Sequence, residues 1–412
     1  MRKSGWIKRR LVDITTKIGS GATPRGGEEA YKSDGISLVR SLNVYDDGFR
    51  EDRLARIDDE QAARLSNVVV ETDDVLLNIT GASVARCCLI PTDMLPARVS
   101  QHVSIIRPQP GIVISALLQY TLIAPDNKKR LLHTGEDGGS TRQAITKAQL
   151  QDFVVEFPES LTAQRRIVGI LDEAFAGIAT AKANAEKNLQ NARAIFESHL
   201  NAVFSQRGAG WKETTLEKML AVQPQNGWSP PAANHAESGT PVLTLSSVTG
   251  FQFRPDKVKF TSARVDSRRN YWVKNGDFLI TRSNTPDLVG HVAIAAGISK
   301  PTIYPDLIMR MNPIPDRLMT EFLYYQMRSP ALRKEITSRA QGANPTMKKI
   351  SNGAVKTLPI TVPPIVTQRA IVETLNDLTI ETHRLELIYQ RKLATLEALK
   401  KSLLHQAFSG AL

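Results

Sequence analysis

Two long stretches of the chain repeat apolar residues at alternating spacings of four and three, the pattern of an amphipathic helix with one buried seam. The first seam consists of Ile167, Leu171, Ala174, Ile178, Ala181, Ala185, Asn188, Ala192, Ile195 and His199, and the second of Ile371, Leu375, Leu378, Thr382, Leu385, Tyr389, Lys392, Leu396, Leu399 and Leu403. No proline, and no glycine after Gly177, interrupts either stretch. Each helix could therefore run about 42 residues, or roughly 63 Å at about 1.5 Å per residue. The alanine-rich first seam would fit the larger side chains of the second, which predicts a coiled-coil pair. The alternative is that each helix packs separately on its own domain.

The starts of these two helices have nearly the same sequence. AQRRIVGIL at 163–171 recurs as TQRAIVETL at 367–375, with five of nine positions identical at an offset of 204. At the same offset Leu200, Phe204 and Ser205 match Leu404, Phe408 and Ser409, and a nearby offset aligns Trp6 with Trp211. Self-similarity over such a distance indicates that the protein is two copies of one unit.

A mixed segment precedes each helix. The first contains the short apolar runs ISLVRSL, VLLNIT and HVSIIRP, and the second has PVLTLSSV, DFLITRS and HVAIAAG in similar places. Glycine and proline clusters separate these runs, which predicts mixed α/β domains with many loops. We therefore expect a domain at 1–158, a long helix at 159–206, a second domain at 207–362 and a second long helix at 363–412, with the two helices antiparallel.

Charge points to a polyanionic partner. The chain carries a net charge of +12 with a pI near 9.6. Segment 207–362 has 21 basic and 11 acidic residues, whereas segment 1–158 has 21 and 20. A basic surface that is merely solvated is the alternative.

Because Cys87 and Cys88 are adjacent and no apolar run is long enough for a membrane span or a signal peptide, we expect a reducing, cytoplasmic location without a membrane. With no other cysteine and seven scattered histidines, a metal site is not expected.

Catalytic motifs are missing from the sequence. None of the Pro-Asp pairs is followed by the Asp/Glu-x-Lys of a nuclease, and SPPA at 229–232 lacks the aromatic residue with which an adenine methyltransferase stacks its flipped base. There is no phosphate-binding loop, and IGSGATPRGG at 18–27 lacks the third glycine of a dinucleotide fingerprint. Its glycines would still allow close backbone approach to a ligand. An enzyme with an unrecognised active site and a coiled-coil adaptor without a DNA role remain the alternatives.

The order of domain, long helix, domain and long helix, with Gln-Arg-x-Ile-Val starting each helix, resembles the specificity subunits of type I restriction-modification systems. The likeness covers the whole chain, and its most family-like pieces are IGSGATPRGG, VRSLNV, SQHVSIIRP, GGSTRQAITKAQL and the two helix starts. The resemblance implies two target recognition domains, each reading half of a bipartite site in double-stranded DNA, and helices that fix the unread spacer. It also implies a chain without catalysis or cofactor.

The same resemblance implies partners for the chain. Two modification subunits would bind S-adenosylmethionine and methylate adenine, and restriction subunits would use ATP and Mg²⁺ to translocate and cut DNA.

Side chains that can form paired hydrogen bonds with base edges are the candidates for DNA reading, namely arginine for guanine and asparagine or glutamine for adenine. In the first copy these are Arg25, Arg40, Asn43, Arg86, Gln101, Arg142 and Gln143. In the second copy they are Gln225, Asn226, Arg282, Asn284, Gln341 and Asn344, with Lys348 and Lys349 for phosphates. For any one of them, a surface hydrogen bond or a loop-capping role is the alternative.

The length and seam of the helices predict that they act as a ruler, which means that they set the length of the DNA spacer between the two half-sites. Inserting four residues at 181–185 adds about 6 Å of rise with a phase error of about 40°, so the seam can re-form. Base pairs are about 3.4 Å apart, and we expect the same half-sites to be methylated with a spacer about one or two base pairs longer. A two-residue insertion, which rotates the seam by about 200°, should prevent assembly. An active four-residue variant with an unchanged spacer would contradict the ruler.

Overall fold

The computed structural model describes residues 4–24, 26–136, 144–206, 208–344 and 346–411. The chain forms two compact units, the first made of Met1–Glu186 with Arg391–Leu412 and the second of Lys187–Gln390. Each unit therefore combines a mixed α/β domain with part of each long helix. In the described part of the chain, none of the helices has both the length and the apolar character needed to cross a membrane.

Two four-stranded sheets form the centre of the first unit. Its strands are β1 (Trp6–Arg10), β2 (Thr15–Ser20), β3 (Ile36–Val39), β4 (Val44–Tyr45), β5 (Gly48–Phe49), β6 (Ala55–Ile57), β7 (Val69–Val70), β8 (Val75–Asn78), β9 (Cys87–Leu89), β10 (Ala97–Val99), β11 (Val103–Pro108) and β12 (Val154–Pro158). Its helices are α1 (Leu11–Ile14), α2 (Asp59–Arg64), α3 (Ser115–Ile123), α4 (Pro125–Glu136), α5 (Lys147–Asp152), the first part of α6 (Leu161–Ser205) and the last part of α10 (Ile365–Ser409). The sheets have the orders β2-β11-β8-β9 and β6-β3-β10-β7, and β1 pairs with β12. The two adjacent cysteines are buried free thiols, as expected.

The second unit repeats this plan with a smaller outer sheet. Its strands are β13 (Lys212–Thr215), β14 (Leu220–Asn226), β15 (His235–Ala236), β16 (Thr240–Leu243), β17 (Val258–Thr261), β18 (Phe278–Thr281), β19 (Ser283–Asn284), β20 (Val292–Ile294), β21 (Ile308–Pro313), β22 (Lys348–Lys349) and β23 (Pro359–Val362). Its helices are the rest of α6, then α7 (Thr320–Arg328), α8 (Pro330–Arg339), α9 (Asn352–Lys356) and the first part of α10 (Ile365–Ser409). The main sheet has the order β14-β21-β18-β20, and β15-β17-β16 form the outer one.

These sheet orders correct one correspondence drawn from the sequence. HVSIIRP contains β11 and HVAIAAG contains β20, yet β11 occupies the second position of its sheet and β20 the last. The counterpart of β11 is β21, because each pairs with the strand that follows the buried carboxylate, Asp74 or Asp277. Arg107 of β11 binds Asp74 with Nε to Oδ1 at 2.7 Å, and Asn312 of β21 binds Asp277 with Nδ2 to Oδ1 at 2.8 Å. The apolar spacing of a short strand does not distinguish these two positions.

The pairs Ile145-Thr146 and Ile350-Ser351 have the same role in the two copies, namely burial followed by capping of a short helix. Ile145 and Ile350 are buried, and the next residue in each copy caps a short helix. Thr146 Oγ1 accepts a hydrogen bond from Gln149 N at 3.2 Å, and Ser351 Oγ accepts one from Ala354 N at 3.1 Å. Side-chain oxygens at this position satisfy amides that the first turn leaves unpaired.

The long helices α6 and α10 contain 45 residues each and pack together in antiparallel directions within each unit. In the first unit Lys182 Nζ binds Glu397 Oε1 at 2.9 Å, and in the second Arg193 Nε binds Glu386 Oε1 at 3.1 Å. Residues of both helices also join the core of each domain, with Leu171 and Leu404 in the first unit and Leu200 and Leu375 in the second. This excludes the alternative in which each helix packs only on its own domain.

In the second half of each long helix, the buried residues are no longer those of the predicted seam. Asn188, Ile195 and His199 of α6 are exposed, and Phe196, Leu200 and Phe204 are buried instead. In α10, Lys392 and Leu399 are exposed, while Leu404 and Ala407 are buried. A helix with about 3.6 residues per turn drifts by about 20° per heptad from a strict seven-residue repeat, and the second domain core rather than the partner helix covers the end of α6.

A fully buried glutamine fastens the start of each long helix to its domain. Gln164 Oε1 accepts from Ile114 N at 2.9 Å, and its Nε2 donates to Ile112 O and Pro158 O, both at 2.9 Å. Gln368 repeats this arrangement, accepting from Met319 N and donating to Arg317 O and Pro363 O, again all at 2.9 Å. These are the glutamines of the recurring Gln-Arg-x-Ile-Val sequence.

We predict that Gln164→Leu destabilises the first unit strongly. The substitution leaves one backbone amide and two carbonyls without their partner at a cost of about 1–3 kcal/mol each, so the free energy of unfolding should fall by at least about 3 kcal/mol. Urea unfolding measures the loss, and hydrogen exchange should place it in the first unit. The neighbouring exposed Arg165, changed to Gln, is the control and should behave like the wild type. A Gln164→Leu protein as stable as the wild type would show that this contact is not needed.

Candidate nucleic-acid interface

In the second unit, eight of the predicted residues come together where the strands of the main sheet end. β14 ends at Asn226, and Arg282 follows β18 directly. Strand β19 pairs with β22 through Ser283↔Lys349 and Asn284↔Lys348, and Gln341 forms a further bridge with Lys349. We call this set the second edge; it contains Gln225, Asn226, Arg282, Asn284, Gln341, Asn344, Lys348 and Lys349.

Contacts within the second edge hold some of these side chains and leave others at the surface. Asn226, Gln341, Asn344 and Lys349 are exposed. Asn284 Nδ2 donates to Thr249 Oγ1 at 3.3 Å, Lys348 Nζ donates to Gly342 O at 2.8 Å, and Arg282 Nη1 donates to Asp306 O at 3.4 Å. Within the described ranges, Gln225 Oε1 and Arg282 Nε are buried without a hydrogen-bond partner. The edge thus offers exposed amides and a cation for a ligand.

The equivalent edge of the first unit has different side chains. Thr80 forms a bridge with Ala144, as Ser283 does with Lys349, and Ile79 N bonds to His102 O as Arg282 N bonds to Leu307 O. Exposed Gln101 lies in this first edge. His102 connects it to Thr80, with Nδ1 2.6 Å from Thr80 Oγ1 and Nε2 3.2 Å from Gln101 Nε2. The predicted residues Arg25, Arg142 and Gln143 lie outside the residues that the structure describes.

Three predicted residues of the first unit have roles within the fold. Asn43 is fully buried, and its Nδ2 donates to Arg50 O at 2.8 Å and Asp52 O at 3.3 Å. Its amide holds a loop and is not available to a base, so Asn43 is not part of the proposed interface. Arg40 Nη2 donates to Arg53 O at 2.7 Å, and its guanidinium lies 4.9 Å from the centre of the Tyr31 ring. This leaves Arg40 only partly exposed.

Arg86 stacks on an aromatic ring, and the second unit has a similar stack at the equivalent position. The guanidinium of Arg86 lies 4.5 Å from the centre of the Tyr45 ring. At the equivalent place His291 stacks on Phe251 at 4.0 Å, and its Nδ1 accepts from Gly250 N at 3.0 Å. Burial, followed by the charge of Arg333, lowers the pKa of His291 to about 4, so the ring stays neutral and can accept this bond. Both stacks fasten a loop to the domain.

Comparison with known proteins assigns the family. A model of the type I restriction modification DNA specificity domain matches residues 3–190 and 209–394. The chain belongs to this family. The specificity subunit of the type I restriction enzyme EcoKI of Escherichia coli K12 is 22% identical over 426 aligned residues, which cover 99% of this chain and 89% of that protein. The EcoEI specificity subunit of Escherichia coli is 23% identical over 41% of this chain and 29% of that protein.

Solved structures agree on the fold. A chain from work on complex assembly and conformational transition of the type I R-M system superposes with a TM-score of 0.75, at 18% identity and 99% coverage of both chains. The HsdS subunit from Thermoanaerobacter tengcongensis gives a TM-score of 0.61 at 18% identity, covering 99% of this chain and 98% of that one. The predicted fold class and family are therefore confirmed. Specificity subunits are the non-catalytic, DNA-recognising members of these systems, as the sequence analysis expected.

Two glycines of this specificity subunit allow close backbone approach at the two edges. A side chain on Gly21 would lie 1.7 Å from Val99 O, and one on Gly227 would lie 1.9 Å from Tyr304 O. Any other residue at these positions would push the loop away from the backbone beside it. Packing inside each unit therefore requires Gly21 in the segment 18–27 and Gly227 in the segment 222–231.

The candidates chosen from sequence omitted three residues that these edges contain. His102 and Thr80 hold Gln101, and Asp306 occupies the place of Gln101 in the second unit, where it binds Ser229 Oγ. Aligning the two copies at an offset of 205 would have paired Gln101 with Asp306. Across the described ranges, no three His, Cys, Asp or Glu side chains come close enough to hold a metal ion.

Replacing Thr80 with Val should relax recognition in one half-site only. The change keeps the shape of the side chain but removes the hydroxyl that holds His102, so Gln101 loses its fixed orientation. A good base contact discriminates by about 1–3 kcal/mol, and we expect roughly tenfold weaker discrimination at one base pair. Sequencing the methylated sites of a host that carries the chain and its modification subunit measures this. Thr80→Ser, which retains the hydroxyl, should keep the original site; a Val variant with an unchanged site would exclude this role.

Proposed function

We propose that this chain reads a two-part sequence in double-stranded DNA, with one half-site for each unit, and that it holds the modification subunits on that sequence. The observation that carries the proposal is the pair of equivalent edges with different side chains. Gln101 corresponds to Asp306, and Ala144 corresponds to Lys349. Two copies of one fold that carry different polar residues at equivalent edges are suited to recognising two different DNA half-sites.

Each edge would combine contacts that position the duplex with contacts that read it. In the second unit, Lys348 and Lys349 suit phosphates, and the exposed amides of Asn226, Gln341 and Asn344 suit base edges. Asp306 can accept from the amino group of cytosine. In the first unit, Gln101 suits adenine. The side chains therefore differ in the bases they would select.

The exposed apolar residues of α10 support a protein partner. Ile380, Leu387 and Ile388 are 64%, 52% and 48% exposed, and their spacing of seven and eight residues places them on one face of the helix. An exposed apolar face on a long helix suits the apolar face of a partner helix. We propose two modification subunits as the partners of these helices, with restriction subunits completing the complex.

The division of chemistry follows from this assembly. The modification subunits would bind S-adenosylmethionine and methylate adenine, and the restriction subunits would use ATP and Mg²⁺. This chain would hold no cofactor. The buried cysteine thiols and the DNA partner fit a cytoplasmic complex without a membrane.

A domain exchange tests the proposed function. Replacing residues 211–358 with the matching segment of a relative should change one half-site and leave the other half-site and the spacer unchanged. The reciprocal exchange within the first unit should change only the other half-site. Methylome sequencing of hosts that carry each hybrid with the modification subunit gives the result. A hybrid that changes both half-sites together would contradict independent readers.

A further inference from the structure

Residues 262–272 of the second unit form an exposed loop with three arginines and one acidic residue. Arg264, Arg268 and Arg269 are all exposed. Arg269 Nε lies 3.7 Å from Asp266 Oδ2, whereas Arg264 and Arg268 form no ion pair with any described residue. We call this segment the basic loop. Its arginines are available to an external anion.

The basic loop is held in one conformation by its own aspartate. Arg268 N donates to Asp266 Oδ1 at 2.9 Å, and Trp272 Nε1 donates to Asp266 O at 3.0 Å. Asp266 N donates in turn to Tyr271 Oη at 3.1 Å. Because these bonds fix the backbone, a phosphate contact would cost little ordering entropy.

An aromatic stack attaches the basic loop to the second edge. The rings of Tyr271 and Trp228 are 5.5 Å apart and inclined by 28°. Trp228 follows Asn226 by two residues, and its backbone amide donates to Tyr304 O at 2.9 Å. The loop therefore lies beside the side chains proposed to read the second half-site.

The same place in the first unit carries the opposite charge. β6 pairs with β3 as β17 pairs with β16, and eleven residues follow β6 before β7, as eleven follow β17 before Val273. In the first unit these residues, 58–68, contain Asp58, Asp59 and Glu60 with one arginine, Arg64, which forms an ion pair with Glu60. Residues 59–64 of this segment form α2.

Contacts place α2 beside the glycine-containing segment of the first unit. Gln61 Nε2 donates to Ala30 O at 3.1 Å, and Lys32 Nζ lies 3.5 Å from Asp58 Oδ2. A methyl group of Val68 lies 3.1 Å from the place where a side chain on Gly21 would begin. Asp59 and Glu60 are exposed there, where the second unit has its arginines.

We propose that the basic loop binds the phosphate backbone of duplex DNA beside the second half-site, and that the first unit makes no equivalent contact. This inference rests on the proposed function and adds an asymmetry to it. The second unit supplies most of the salt-dependent affinity, because each phosphate that an arginine neutralises releases a counterion. The acidic helix α2 repels phosphates, so the first unit depends on contacts with bases.

The test removes the three arginines together. The variant R264Q/R268Q/R269Q, assembled with the modification subunits, is titrated with specific duplex between about 50 and 200 mM salt. The negative slope of log affinity against log salt should become shallower by about 2–3. The affinity at about 0.1 M salt should fall roughly 100-fold. The methylated sequence should stay the same, since phosphates carry no sequence information.

A matched control removes three exposed positive charges at the other end of the same domain. K212Q/K218Q/R317Q acts near the start of β14, and β14 ends at the second edge. This variant should keep nearly the full slope. Duplexes with a single half-site provide the second comparison: the wild type should bind the second half-site more tightly than the first, and the basic-loop variant should lose that difference.

The outcomes separate this inference from the proposed function. An unchanged salt slope in the basic-loop variant, or an equal loss in the control, overturns the assignment of the loop. A changed methylation sequence also overturns it, because the loop would then read bases. A wild-type complex that binds no specific duplex would instead refute the proposed function itself.

Discussion

The buried glutamine at the start of each long helix is the contact on which the rest of the architecture depends. Gln164 and Gln368 each bridge three backbone groups, two of them in the loop before α3 or α7 and the third, Pro158 O or Pro363 O, in the segment that leads into the long helix. Both are fully buried, so each of these hydrogen bonds is sheltered from water and costly to lose. These bonds fasten the start of each long helix to its own domain.

Each long helix contributes residues to two cores. The end of α6 packs in the second unit, where Phe204 meets Trp211 at 6.3 Å, and the end of α10 packs in the first, where Phe408 meets Trp6 at 6.4 Å. The two contacts are edge-on and nearly equal in geometry. Each domain core therefore includes the last turns of the helix that began on the other domain.

The reading edges can diverge because the scaffold beneath them is held by backbone contacts and glycine. The bonds from Ile145 N to Ile79 O and from Ile350 N to Arg282 O are equivalent although the residues beside them differ. Gly21 and Gly227 let their loops pack closely against the backbone at Val99 and Tyr304. Side chains at the edges are then free to change, and so is the charge beside them, as α2 and the basic loop show.

The sequence alone determined the two copies, the two long helices, the basic second domain and the family, because each leaves a local or repeated signal in the residues. Tertiary packing decided the rest. The seam moved to Phe196 and Leu200 because a straight helix does not keep a seven-residue period and a domain core covers its end. Asn43 became a buried loop anchor because the loop that follows it folds back and places Arg50 O and Asp52 O against its amide. Equivalent backbone bonds, from Ile79 N to His102 O and from Arg282 N to Leu307 O, decide that Asp306 takes the place of Gln101. A polar residue looks the same in sequence whether its hydrogen bonds are met by the fold or left for a ligand, and only the surrounding structure distinguishes the two.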